Sequence, residues 1–134
     1  MSLHARVGIV LVSHSAALAE GAAELAGQIS GGTVAIIPAG GTDDGHLGTS
    51  AAKVQQAVKL ADSGAGVLIL PDLGSAVLTV RALLTDTGDL PGPIEIADAP
   101  FVEGVVAATV AAASGGDITG VLAAAEEARH ARKL

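Results

Sequence analysis

The chain has 134 residues, half of them apolar, with seven Lys and Arg against fourteen Asp and Glu, a single Phe101 and no cysteine. A net charge of −7 and one aromatic ring argue against nucleic acid as a partner, because nucleic acid is bound by basic surfaces and stacking rings. The missing cysteines exclude disulfides and thiolate chemistry, and no apolar run approaches the roughly 20 residues of a membrane span, so we expect one cytoplasmic domain over residues 1–134.

Short apolar runs alternate along the chain with segments in which apolar residues recur every three or four positions, which predicts alternating strands and helices. The predicted strands cover residues 7–12, 34–37, 67–70 and 94–96. The predicted apolar helix faces carry Leu18, Ala22, Leu25 and Ile29; Ala51, Val54, Val58 and Ala61; Val77, Val80 and Leu84; Phe101, Val105, Ala108 and Ala112; and Val121, Leu122 and Ala125. Thr49 or Ser50 is a predicted N-cap of the second helix, and Asp117 of the fifth.

The resulting order, β-α-β-α-β-α-β-α-α, indicates the fold class. Strands that are apolar throughout and separated by helices are typical of a parallel sheet that is covered on both faces. We therefore predict an α/β fold, a three-layer α/β/α domain with a mostly parallel four-stranded sheet.

This fold predicts where a site lies, because parallel sheets bind ligands beyond the carboxyl ends of their strands. The segments after the four strands are Ser13-His14-Ser15, residues 38–44, residues 71–75 and residues 98–100. The first strand usually lies beside the third in such sheets. We therefore expect His14 and Asp72 to be neighbours.

Each of these segments also has a purely structural interpretation. His14 alone is explained as a hydrogen-bonded structural residue, and "PDLGS" as a turn in which Ser75 caps the next helix. The stretch "AGGTDDGHLGTS", residues 39–50, has the structural interpretation of a flexible surface loop. The functional interpretation rests on convergence, since an ionisable ring, a carboxylate, hydroxyls and glycines all fall on one predicted edge.

The residue types on this edge restrict its chemistry. The chain has neither the glycine pattern of a dinucleotide site nor a P-loop, and the four loops contain no Lys or Arg. A phosphoryl group would be held by backbone N–H groups at helix N-termini and by hydroxyls. A neutral imidazole is a nucleophile, and a hydrogen bond from one ring nitrogen to Asp72 would leave the other nitrogen of His14 free to attack.

Four stretches carry a family resemblance: "GIVLVSHSAALAEGAAELAGQI", "PAGGTDDGHLGTSAAKV", "GVLILPDLGSAVLTVRALL" and "APFVEGVVAATVAAASGGD". Together they resemble the phosphotransfer subunit of the dihydroxyacetone kinase that depends on the phosphoenolpyruvate:sugar phosphotransferase system (PTS), whose domain is similar to mannose-type enzyme IIA. The resemblance runs from about residue 7 to residue 122. It implies a phosphotransferase in which His14 receives a phosphoryl group from the histidine-containing phosphocarrier protein. His14 then passes the group to ADP held in the ADP-binding kinase subunit, and the ATP formed phosphorylates dihydroxyacetone.

The resemblance also implies roles for single residues and an assembly. His14 and Asp72 match the catalytic pair, with Asp72 orienting the ring, and the chain is expected to form a homodimer that needs no cofactor, metal or membrane. The residues expected to hold the phosphoryl group are Ser15, Gly41, Thr42, Gly74 and Ser75.

Three alternatives remain open at this point. The first is a mannose-type enzyme IIA that serves a sugar transporter, with the same chemistry and a different acceptor. The second is a non-catalytic α/β module that binds a small anion. The third, a metal site of His14, Asp43, His46 and Asp72, has little support because the ligand spacing of known metal motifs is missing.

Overall fold

The computed structural model describes residues 5–86 and 90–134. Its strands are β1 (Gly8–Ser13), β2 (Ile36–Gly40), β3 (Val67–Pro71) and β4 (Ile94–Ile96). Its helices are α1 (Ala16–Ser30), α2 (Ala51–Ala61), α3 (Gly74–Asp86), α4 (Phe101–Ala113) and α5 (Ile118–Glu127), with a 3₁₀ turn over Ala128–His130. The predicted order of elements is therefore confirmed.

The strands form one parallel sheet in the order β2-β1-β3-β4. The chain leaves β1 towards β2 on one side and then crosses to β3 on the other side, so the direction of winding reverses between β1 and β3. Open α/β sheets bind ligands at this reversal, because the connections there diverge and leave a crevice. The predicted parallel four-stranded sheet is confirmed, and its crevice lies between the ends of β1 and β3.

The central strand β1 has buried side chains on both faces, as expected when helices cover both sides of a sheet. Ile9 and Leu11 belong to a core formed with α1, α4 and α5. Val10 and Val12 belong to a second core formed with α2 and α3. Because alternate residues of a strand point to opposite faces, these two cores confirm the three-layer α/β/α architecture.

The second and third strands end later than predicted. Residues 38–40 are expected in a loop, but β2 continues through Pro38 to Gly40, and β3 includes Pro71. β2 is an edge strand, where a missing proline N–H is tolerated because one side of the strand needs no ladder bonds. The extension of β2 carries its end up to the level of Ser13.

The predicted apolar face of α1 is wrong in three of its four residues. Leu18, Leu25 and Ile29 are nearly half exposed, whereas Ala22 is buried together with Ala19 and Ala26. The small alanine side chains let α1 lie close to the sheet, so that a Cβ added to Gly40 would come within 2.7 Å of the Ala16 Cα. Close packing here selects small residues over large apolar ones.

The other helices follow their predicted patterns more closely. Ser50 and Asp117 cap α2 and α5, each accepting a hydrogen bond from a backbone N–H three residues later. Among the predicted core residues, Val54, Val58, Ala61, Val80, Val105, Ala108, Ala112, Val121 and Ala125 are buried. Ala51 is exposed at the start of α2.

No helix in residues 5–86 and 90–134 combines the length and the apolar composition that crossing a membrane requires.

Candidate active site

His14 and Asp72 meet at the winding reversal, as predicted. His14 follows the last residue of β1 and Asp72 follows the last residue of β3, and these two strands are hydrogen-bonded neighbours. The backbone N–H of Asp72 donates to the carbonyl of Val12 at 2.9 Å. The ladder between β1 and β3 therefore continues one step beyond the strands and fixes the two residues side by side.

The Asp72 carboxylate accepts four hydrogen bonds. Oδ1 accepts from the His14 ring Nδ1 at 3.0 Å and from the Leu73 backbone N–H at 2.7 Å. Oδ2 accepts from the His14 backbone N–H at 3.0 Å and from the Ser13 hydroxyl at 2.9 Å. The Asp72 side chain is only 9% exposed, so these donors replace most of its contact with water.

These donors keep Asp72 ionised. Partial burial acts to raise the pKa of Asp72, but the hydrogen bonds from the backbone and ring of His14 and from the Ser13 hydroxyl outweigh burial and lower the pKa below its ordinary value. A carboxylate that accepts at Oδ1 requires a proton on His14 Nδ1. The neutral His14 ring is therefore held as the tautomer whose Nε2 carries the lone pair.

The other ring nitrogen of His14 faces α3. Nε2 lies 2.7 Å from the Ser75 hydroxyl, which donates to it in this tautomer. Ser75 lies inside the first turn of α3, which begins at Gly74, so the predicted role of Ser75 as a helix cap is wrong. Its hydroxyl contacts the nucleophilic atom of His14.

The predicted phosphate-holding residues divide into two groups. Gly74 and Ser75 begin α3, and within residues 5–86 and 90–134 their backbone N–H groups have no hydrogen-bond acceptor. Ser15 caps α1 by accepting from the Leu18 N–H at 3.2 Å, and the Gly41 N–H already donates to the Ser13 carbonyl. The free N–H groups of Gly74 and Ser75 lie at the N-terminal end of α3, the end of a helix that attracts anions, and Ser75 is also the residue whose hydroxyl contacts Nε2.

Thr42 is engaged within its own loop. Its N–H donates to the His46 carbonyl, its hydroxyl donates to the Asp44 carboxylate, and the His46 N–H donates to its Oγ1. Asp44 also pairs with the His46 ring at 3.0 Å, and both of these side chains are exposed. The predicted part of Thr42 in holding phosphate stays a prediction.

The loop over residues 41–49 is fastened to the site by its backbone. The Gly48 N–H donates to the His14 carbonyl at 2.9 Å, and the Thr49 hydroxyl is 2.7 Å from the Thr79 hydroxyl on α3. Gly41 has a φ of +76°, a conformation that side chains disfavour. The structure therefore holds this loop against both His14 and α3, in contrast to the flexible connection of the structural interpretation.

Two contributors to the site have no role assigned from the sequence, although Ser13 lies in a candidate segment. Ser13 donates to Asp72 and also accepts from the Ser15 N–H at 3.0 Å. Lys53, on α2, donates its ammonium to the Gly40 carbonyl at 3.0 Å, so a cation reaches the loops although none lies in them. The position of Ser13, directly after an apolar strand, is a sequence signal that could have indicated its role. The contact of Lys53 with Gly40 is visible only in the tertiary structure.

The four residues of the alternative metal site do not come together as a ligand cluster. His14 and Asp72 are together, but Asp43 accepts from the Ser50 hydroxyl and His46 pairs with Asp44. Among the residues that the structure describes, no three His, Asp or Glu side chains are grouped closely enough to hold a metal ion.

A comparison with family models places this geometry in a known family. Residues 8–122 match the model described as "PTS system fructose IIA component". The chain belongs to this family. The match begins with β1, ends within α5 and includes both His14 and Asp72.

Individual relatives narrow the resemblance. The chain is 40% identical over 131 residues to the "PEP-dependent dihydroxyacetone kinase, phosphoryl donor subunit DhaM" of Escherichia coli. The alignment covers 95% of this chain but only 28% of the E. coli protein. It is 41% identical over 106 residues to the DhaM subunit of "PEP-dependent dihydroxyacetone kinase 2" of Listeria innocua, covering 78% of this chain and 84% of that protein. These relatives support the predicted resemblance to a DhaM-type phosphoryl donor subunit.

A solved structure supports the fold. The protein described as "unknown function protein EF1359" superimposes with a TM-score of 0.79 at 36% identity, over 90% of this chain and 93% of that one.

Proposed function

We propose that this domain is a phosphohistidine carrier in which Nε2 of His14 receives a phosphoryl group from the histidine-containing phosphocarrier protein. It then passes the group to ADP bound in the ADP-binding subunit of a dihydroxyacetone kinase. The observation that carries the proposal is the pair of hydrogen bonds on the His14 ring. Nδ1 is 3.0 Å from Asp72 Oδ1, and Nε2 is 2.7 Å from the hydroxyl of Ser75, in the first turn of α3.

In the first step the lone pair of His14 Nε2 attacks phosphorus. The Nε2–P bond forms while the P–N bond to the donor's histidine breaks, and the bonding electron pair returns to the donor's ring. The His14 ring keeps its proton on Nδ1 and so becomes positively charged. Asp72 stabilises that charge through the 3.0 Å hydrogen bond, in the way that an aspartate stabilises the imidazolium of a serine protease.

The phosphoryl oxygens need donors as the group arrives. The Ser75 hydroxyl turns from Nε2 to a phosphoryl oxygen, and the N–H groups of Gly74 and Ser75 supply further hydrogen bonds at the helix N-terminus. None of these donors carries a charge. The group is held without a strong ion pair, which favours its transfer onward.

In the second step an oxygen of the ADP β-phosphate attacks the same phosphorus. The O–P bond forms, the Nε2–P bond breaks, and the electron pair returns to Nε2. The His14 ring becomes neutral again, with its proton still on Nδ1. No proton has to enter or leave the ring in either step, so the Asp72 hydrogen bond persists through the cycle.

Two findings support a kinase acceptor over a sugar transporter. The similar proteins of E. coli and L. innocua are both named as phosphoryl donor subunits of dihydroxyacetone kinases. The L. innocua protein is covered over 84% of its length, so the similarity extends over nearly that whole subunit. The E. coli protein is far longer, and its remaining segments are not matched by this chain.

Phosphorylation by a reconstituted system tests this function. We expect the protein, incubated with phosphoenolpyruvate, the phosphocarrier protein and the enzyme that charges this carrier from phosphoenolpyruvate, to gain one acid-labile, alkali-stable phosphoryl group on the peptide that contains His14. Addition of the ADP-binding kinase subunit with ADP is expected to discharge the group and form ATP. A sample without the phosphocarrier protein is the control. A protein that binds phosphate reversibly but never gains a covalent group would contradict the proposal and favour an anion-binding module.

A further inference from the structure

Ser75, His14 and Asp72 form a continuous hydrogen-bonded row. The Ser75 hydroxyl is 2.7 Å from Nε2 of the His14 ring, and Nδ1 of the same ring is 3.0 Å from Asp72 Oδ1. In the tautomer that Asp72 imposes, the hydroxyl donates to Nε2 and the Nδ1–H donates to the carboxylate. Serine hydrolases have the same order of groups, in which an aspartate orients a histidine and the histidine removes the serine proton.

Ser75 lies where a nucleophile of this kind is needed. It is exposed in the first turn of α3, so a substrate can reach its Oγ. In the part of the chain that the structure describes, the N–H groups of Gly74 and Ser75 have no acceptor. Free backbone N–H groups at and beside a nucleophilic serine stabilise the negatively charged oxygen that forms when the serine attacks a carbonyl. One turn of α3 therefore supplies both the nucleophile and these donors.

The histidine of the row is held in a fixed orientation. Asp72 accepts from the ring and the backbone N–H of His14, from the Leu73 N–H and from the Ser13 hydroxyl. Each of these four donors restrains the carboxylate, and the carboxylate restrains the ring. When the ring takes up the serine proton it becomes positively charged, and Asp72 stabilises that charge across the Nδ1 hydrogen bond.

A small cleft lies beside the row. Its volume is about 290 Å³, and it is lined by Asp72 and Gly74 and by apolar side chains that include Val77 and Ile96. This volume is at the lower end of the range for small-molecule sites. The cleft therefore suits the short apolar part of a small ester.

We propose that the unphosphorylated protein also hydrolyses small, activated carboxylic esters, with Ser75 as nucleophile, His14 as general base and Asp72 as the residue that orients the base. Ser75 Oγ attacks the carbonyl carbon while its proton passes to His14 Nε2. The bond from that carbon to the leaving oxygen then breaks, the leaving oxygen takes the proton from Nε2, and the acyl group remains on Ser75. A water molecule, deprotonated by the same nitrogen, releases the carboxylic acid and restores the serine.

Ester hydrolysis and phosphoryl transfer exclude each other at one atom. The lone pair of His14 Nε2 has to be free to accept the Ser75 proton, and the same lone pair binds phosphorus in the proposed function. A phosphorylated His14 therefore cannot act as the base. The ester activity depends on the geometry of the row and does not require a phosphoryl donor or acceptor.

Hydrolysis of p-nitrophenyl acetate by the full chain tests this activity. We expect a burst of p-nitrophenolate followed by a slower steady release, and mass spectrometry of the acid-quenched protein is expected to place an acetyl group on Ser75. Ser75→Ala is expected to lower the rate about 100-fold or more, although it leaves the His14 imidazole in place. Treatment with phosphoramidate, a small phosphoryl donor, is expected to abolish hydrolysis in proportion to the phosphorylated fraction.

Ser63→Ala is the matched control, because Ser63 is also exposed but precedes β3, at the opposite edge of the sheet. This control is expected to hydrolyse the ester at the unsubstituted rate. A Ser75→Ala rate within about twofold of normal, or an acetyl group on His14 in place of Ser75, would overturn Ser75 as the nucleophile. Hydrolysis that persists in fully phosphorylated protein would overturn His14 as the base. Failure of every donor to phosphorylate His14 would overturn the proposed function alone, and the Ser75→Ala rate would still decide the ester activity.

Discussion

Replacement of His14 by alanine is expected to abolish phosphorylation by both the phosphocarrier protein and phosphoramidate. The variant removes Nε2, the proposed nucleophile. It leaves the Asp72 carboxylate with three donors, the N–H groups of residues 14 and 73 and the Ser13 hydroxyl. The ring loses its two hydrogen bonds, to Asp72 and to Ser75, which is expected to lower the free energy of unfolding by only about 2 kcal/mol. Mass spectrometry of the intact protein and urea unfolding measure the two effects.

His46→Ala is the matched control for this prediction. His46 is the exposed histidine of the neighbouring loop, where it pairs with Asp44. The control is expected to be phosphorylated at the unsubstituted rate. A His14→Ala protein that still gains the phosphoryl group, or a His46→Ala protein that does not, would contradict the assignment of the nucleophile.

Asp72→Asn is expected to slow phosphoryl transfer by about 100-fold or more. All four groups around the carboxylate are hydrogen-bond donors, but an asparagine offers one acceptor oxygen and one NH₂ donor. Where the NH₂ faces the His14 ring, it donates to Nδ1 and moves the ring proton to Nε2, which then has no lone pair. Where the NH₂ faces the His14 backbone N–H, two donors oppose each other. The loss is measured as the rate of phosphorylation by phosphoramidate, because this small donor needs no partner protein. A rate within about twofold of that of the unsubstituted protein would remove Asp72 from the mechanism.

The same substitution changes how stability depends on pH. The pKa of Asp72 is lowered in the folded protein, because the donors around the carboxylate outweigh its partial burial. The carboxylate therefore contributes stability that is fully present above its unfolded pKa of about 3.9 and is lost as the pH falls through the lower, folded pKa. Urea unfolding at a series of pH values is expected to show a smaller loss of stability below about pH 4 for Asp72→Asn than for the unsubstituted protein.

The fold and the proximity of His14 and Asp72 can be predicted from the sequence for a physical reason. Buried parallel strands have apolar sequences, and the residues that follow them must lie at one edge of the sheet. His14 and Asp72 each directly follow such a strand. Their proximity can therefore be predicted once the strands are located and the first strand is placed beside the third, its usual neighbour. The family resemblance assigns the roles of the two residues.

The details that the sequence does not reveal depend on close packing and on contacts across the fold. The pattern of α1 favours Leu18, Leu25 and Ile29 for the core. The residues of α1 that are buried all have small side chains, and these three larger side chains are nearly half exposed. They leave apolar area on the outside of α1, and the expected homodimer stays a prediction. Lys53 reaches Gly40 from another helix, a contact that no spacing in the sequence indicates.

The most direct test of the account is to determine which ring nitrogen of His14 carries the phosphoryl group. The phosphorylated protein, labelled with ¹⁵N in histidine, is examined by ¹H–¹⁵N and ³¹P nuclear magnetic resonance at neutral pH. Because the hydrogen bond to Asp72 occupies Nδ1 at 3.0 Å, we predict phosphorus coupled to Nε2 and a retained proton on Nδ1. A phosphoryl group on Nδ1 of His14 would require the Asp72 hydrogen bond to be broken, and would contradict the central claim that this carboxylate selects the nucleophilic nitrogen.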